Sequence, residues 1–75
     1  MNLPEVLIHI SEKPNESEKN ELVEQLRTLD GVVVPGFSQE KEHLLFVSYN
    51  SDTINATELL DKVRENGFKA QLVGL

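Results

Sequence analysis

Ser11-Glu-Lys-Pro-Asn15-Glu-Ser-Glu18-Lys-Asn-Glu-Leu22-Val-Glu-Gln-Leu26-Arg-Thr-Leu29-Asp-Gly31-Val32 decides the fold: a polar loop runs straight into an amphipathic helix. Leu22, Val23, Leu26 and Leu29 recur at the spacing of one helix face. Asn15 is an N-cap residue, and Glu18, three positions on, completes a capping box. Gly31 offers the left-handed backbone that stops a helix. The helix is therefore expected from about Asn15 to Asp30, and any chemistry of the domain is expected in the loop 11–18.

Outward from this stretch the pattern changes to strands. In Glu5-Val-Leu-Ile-His-Ile10, Val6, Ile8 and Ile10 share one face while Leu7 and His9 share the other, with Pro4 just ahead. Val32-Val-Val-Pro-Gly-Phe37 reads as a second strand interrupted at Pro35-Gly36, and a proline there suits an edge or a bulge. Residues 38–42 are polar and are expected to turn the chain. His43-Leu-Leu-Phe-Val-Ser-Tyr49 is the strongest strand signal, with Leu45, Val47 and Tyr49 opposite Leu44, Phe46 and Ser48. Asn55 opens a second helix with its own capping box to Glu58 and a staple from Ile54 to Leu59. Leu59, Leu60 and Val63 form its buried face, Lys62 and Arg64 suit its negative end, and Gly67 stops it. Phe68 to Val73 closes as a short strand.

The order β-α-β-β-α-β is that of the split βαβ arrangement, an α+β ferredoxin-like sandwich with a four-stranded antiparallel sheet and two helices on one face. The first and third strands are then central and the second is an edge. Residues 1–75 are expected to form one domain. That leaves the second face of the sheet open, where Leu7, Leu44 and Phe46 should make an apolar strip with His9 beside them. Such a strip is a candidate for self-association or a partner surface.

Thirteen acidic against seven basic side chains give a net charge of −6 over 75 residues, and there is no cysteine. Phosphate backbones and anionic membranes attract basic surfaces, so neither nucleic acid nor membrane is the expected partner. Without cysteine there is neither a disulfide nor a thiolate metal cluster. No apolar run nears the roughly 20 residues of a membrane span, and the N-terminus lacks the pattern of a signal peptide. A cytoplasmic location is the expectation. Much of the acidic excess, Glu12, Glu16, Glu18, Glu21, Glu24 and Asp30, surrounds or lies on the first helix.

The segments Leu22 to Leu29 with Gly31-Val32, and Val47-Ser-Tyr49-Asn50 followed by Leu59, Val63, Gly67 and Phe68, resemble the heavy-metal-associated domains of copper chaperones and copper-transporting ATPases. The resemblance spans nearly the whole chain. It implies the ferredoxin-like fold and a Gly-Met-Thr-Cys-x-x-Cys loop for thiophilic metal. Counting back from Leu22 sets the two cysteine positions at Asn15 and Glu18, and the preceding three at Glu12, Lys13 and Pro14. None matches. An amide and a carboxylate are hard ligands, so no metal ligand carries over. Phe68 falls on the aromatic position that borders the family's loop.

Met1, His9 and His43 are the remaining soft or borderline groups, and strand alternation sends His9 to the open face and His43 to the opposite one. No phosphate-cradling loop or nucleophile elbow is present, and no catalytic residue, cofactor or enzyme activity is expected. The expected function is a non-catalytic protein-interaction or regulatory module that has lost soft-metal binding. Its candidate contacts are Leu7, His9, Leu44 and Phe46 on the sheet and Glu18 and Glu21 on the helix. Two alternatives stand beside it: a copper-chaperone-like metal protein with an atypical site, and a small-molecule-sensing ferredoxin-like domain.

Overall fold

The computed structural model describes residues 3–73. The elements follow in the order β1 (Glu5–Ile10), α1 (Glu16–Arg27), β2 (Val32–Phe37), β3 (Leu44–Tyr49), α2 (Ala56–Glu65) and β4 (Ala70–Leu72). The strands lie in one sheet in the order β2-β3-β1-β4, with every neighbouring pair antiparallel. This is the α+β ferredoxin-like sandwich, with β1 and β3 in the centre and β2 at an edge.

Alternation along the strands builds the core. Val6, Ile8 and Ile10 of β1, Leu45 and Val47 of β3 and Ala70 of β4 turn one face inward, where they meet Leu22 and Leu26 of α1 and Leu59, Leu60 and Val63 of α2. Ile54 joins them from the turn ahead of α2. No charged or polar side chain among the described residues is buried with them. The described residues form this one apolar core cluster, and its burial is the main stabilising term.

Both helices start as the sequence implies. Asn15 Oδ1 accepts the Glu18 N–H at 2.8 Å, and Glu18 Oε1 accepts the Asn15 N–H at 3.0 Å, a complete capping box. At α2 Asn55 Oδ1 accepts the Glu58 N–H at 2.8 Å, which is the first half of the box. Gly67, directly after the α2 cap Asn66, takes φ of +94°, the left-handed conformation that ends a helix, whereas Gly31, with φ of +97°, lies three residues beyond the α1 cap Thr28, in the turn into β2.

Several boundaries move. Helix α1 ends at Arg27 rather than Asp30, because Thr28 and Leu29 donate to the carbonyls of Gln25 and Leu26, three residues back. The Thr28 hydroxyl takes the Gln25 carbonyl as well, at 2.6 Å. Strand β2 runs unbroken through Pro35-Gly36, and its irregularity is a bulge between Val32 and Val34. Proline is tolerated there because β2 is an edge. Strand β3 begins one residue later than the sequence suggests, after a turn that ends on His43.

Candidate functional site

The loop 11–15 leaves β1 and enters α1 at one end of the sheet. Here its polar groups are bonded to the protein itself. The Ser11 N–H donates to the Lys69 carbonyl at 2.8 Å. The Lys69 N–H in turn donates to both carboxylate oxygens of Glu12, at 2.9 and 3.1 Å. Pro14 is buried. Asn15 and Glu18, the two positions that the resemblance aligns with cysteines, are tied to each other in the capping box.

The Glu12 carbonyl accepts from His43 Nδ1 at 2.8 Å, and the Ile10 carbonyl accepts from the same nitrogen at 3.0 Å. Two carbonyl acceptors require that His43 Nδ1 carry a proton. Lys13 reaches across to Glu42 at 3.2 Å, both side chains well exposed. The Lys13 ammonium, by hydrogen bond and by charge, holds the Glu42 carboxyl below the usual carboxylate range.

His9 and His43 do not diverge to opposite faces. Their rings stack with centroids 5.9 Å apart and planes inclined by 27°. Strand alternation fails because His43 lies in the turn before β3, where the carbonyls of Ile10 and Glu12 set its ring position. Both imidazoles line an open concavity of about 870 Å³, together with Gln39 to Glu42 of the β2–β3 turn, Leu44 and the end of β4.

On the open face the expected apolar strip is present. Leu7 is paired with Phe46 and His9 with Leu44 across β1 and β3. Leu7, Leu44 and Phe46 are all half-buried. Phe46 lies over Gly36, so closely that a Cβ there would stand 2.8 Å from its Cζ. Val33 and Val34 on the bulge are 50% exposed and extend apolar surface to the β2 edge.

On α1 the carboxylates are exposed but not equivalent. Glu16 and Glu24 pair with Lys19 and Arg27 at 3.9 and 3.8 Å. Glu18 caps the helix, whereas Glu21 has no hydrogen bond or ion pair among the described residues. Glu18 and Glu21 line a small cavity of about 100 Å³ with Leu22, Asn66 and Phe68. Phe68 is half-buried against the core. Lys19, given no role by sequence, extends back over β2 and sets its ammonium 5.6 Å from the centre of the Phe37 ring.

These elements define a ferredoxin-like domain whose loop end is closed by internal bonds. No protein-family model matches the sequence, and no curated protein matches it. Solved structures do match. The N-terminal domain of a potential copper-translocating P-type ATPase from Bacillus subtilis, solved in its Cu(I)-loaded state, is similar with a TM-score of 0.84 at 20% identity, over 95% of this chain and 88% of that one. The yeast copper transporter domain CCC2A gives 0.81 at 22% identity, over 92% and 93% of the two chains. Oxidized MerP from Ralstonia metallidurans gives 0.81 at 10% identity, over 95% and 97%. At these identities the likeness is one of fold. The chain has the fold of copper-binding domains of this type and carries no cysteine.

Proposed function

We propose that this domain is a non-catalytic interaction or regulatory module on a copper-chaperone-like fold, and that its first loop has lost soft-metal binding. The observation that supports this reading is the reciprocal bonding of Asn15 and Glu18 at 2.8 and 3.0 Å. Thiolate and thioether sulfur are the ligands that select a thiophilic ion. This chain offers an amide and a carboxylate that already satisfy each other and the start of α1.

What remains for recognition is surface. The half-buried strip of Leu7, Leu44 and Phe46, with His9 beside it, is an apolar contact area on an otherwise acidic molecule. Glu18 and Glu21 add negative charge at the N-terminal end of α1, which favours a partner with a basic rim. Protein, whether another chain or a second copy, is the partner class; nucleic acid and membrane are disfavoured by the net charge of −6.

Titration of copper(I) under reducing conditions, followed by amide shifts, tests the loss of soft-metal binding. The expected result is no saturating shift in residues 11–18 or at Phe68. Shifts confined to those residues and complete at one metal per chain would refute it.

A further inference from the structure

Away from the Asn15–Glu18 cap, the His9–His43 pair has the features of imidazoles prepared for a cation. His43 donates Nδ1–H to the Ile10 and Glu12 carbonyls at 3.0 and 2.8 Å. In the neutral ring this leaves the lone pair on Nε2. A histidine held through one nitrogen by backbone carbonyls, with the other free, is the arrangement that orients metal-ligating imidazoles. The His9 ring lies 5.9 Å away. Its Nδ1 is the only buried side-chain nitrogen or oxygen among the described residues that lacks a hydrogen-bond partner. That nitrogen is buried, so His9 has only Nε2 to offer a ligand.

Among the described residues neither Nε2 is engaged by a protein group or sealed from solvent, and both rings border the concavity of about 870 Å³. We propose that His9 and His43 bind one borderline divalent cation, Zn²⁺ or Cu²⁺, through two imidazole nitrogens, with water in the remaining positions. Among the described residues no group of three or more His, Cys, Asp or Glu can hold a metal, so the site is open rather than a closed structural centre. Imidazole suits zinc and copper(II), whereas Mg²⁺ and Ca²⁺ require oxygen ligands. Ligation of His9 through Nε2 moves its proton to Nδ1. The site is independent of the loop reading, because it uses neither Asn15 nor Glu18.

The test is a Zn²⁺ titration of the full chain, read by the imidazole nitrogen resonances. The expected result is that ring-nitrogen resonances of His43 and His9 shift together and saturate at one Zn²⁺ per chain, while Mg²⁺ leaves them in place. His9→Gln removes no hydrogen bond and should fold normally; it should weaken Zn²⁺ binding about tenfold or more, the scale set by losing a group that supports a metal site. His43→Gln should do the same where it folds. Imidazole resonances unmoved by a large excess of Zn²⁺ would overturn the proposal. So would equal shifts with Mg²⁺, or undiminished binding in His9→Gln.

Discussion

Replacing Asn15 and Glu18 together by cysteine sets the cap and the metal reading of those two positions against each other. The pair exchanges two bonds, of 2.8 and 3.0 Å, at the start of α1. Loss of an N-cap side chain costs about 1 kcal/mol, and loss of the return bond with its first-turn carboxylate adds about 0.5 kcal/mol. A total of about 1.5 kcal/mol in a domain of this size lowers Tm by about 6–12 °C, measured by circular dichroism under reducing conditions without metal. The rest of the loop stays pinned by Glu12 to Lys69 and by His43 to Glu12. Both thiols would then lie at a helix N-terminus, which favours the thiolate. The folded variant is expected to bind copper(I) at one ion per chain and to recover stability on binding. A fall in Tm below about 2 °C would mean that Asn15 and Glu18 do not act as a cap. A folded variant that ignores copper(I) would show that more than two sulfurs separates this loop from a metal site.

Other expectations come from neighbouring geometry. Gly31→Ala meets Ile54 Cγ2 at 2.8 Å and Thr53 Cβ at 3.0 Å as well as a φ of +97°, whereas Gly67→Ala meets only the φ of +94° in open space. Gly67→Ala should thus cost about 1–2 kcal/mol from backbone strain alone, Gly31→Ala distinctly more, and equal losses in denaturant unfolding would contradict the packing at Gly31. Phe46→Asp should leave the fold intact, since Phe46 lies outside the core cluster, and should abolish any association; sedimentation that shows the same complex before and after would remove the open face as the interface. Lys13→Ala should raise the depressed Glu42 pKa toward the ordinary carboxylate range. The sign follows: the pair stabilises the fold above the normal carboxylate pKa and is lost as pH falls through the lowered one. An unchanged Glu42 titration by carboxyl NMR would exclude the Lys13 contact.

What the sequence carried was local. The inward set Val6, Ile8 and Ile10 and the outward pair Leu7 and His9 follow from a period of two, and the structure keeps both. Pro35 marks an edge because it lacks a ladder donor, and β2 is that edge. Asn15 and Glu18 are three residues apart, so their bond is written in the chain. The features missed are long-range. Glu12 meets Lys69 across 57 residues, and His43 meets Glu12 across 31. The stack of His9 on His43 could not be read from alternation, since alternation ends where a strand ends and His43 lies one residue outside β3. The early stop of α1 was hidden for a different reason: the Thr28 hydroxyl competes for a helix carbonyl, and the apolar spacing through Leu29 does not register that competition.

The closed loop and the open sheet are linked by electrostatics. A helix N-terminus presents unpaired N–H groups and the positive end of a dipole, and it repels a cation unless anionic ligands outweigh it. At α1 three nearby anions are committed, Glu18 to the Asn15 N–H, Glu12 to the Lys69 N–H and Glu16 to Lys19, while Glu21 has no partner among the described residues. A cation arriving at this loop would have to displace those partners and would then find only hard oxygen ligands. The same bonds fix the Glu12 carbonyl against His43, and this places the His43 ring beside His9 on the sheet. The bonds within the loop therefore do more than cap α1. They hold the His43 ring beside His9, while the pairing of β1 with β3 sets Leu7 against Phe46 on the face that the helices leave uncovered.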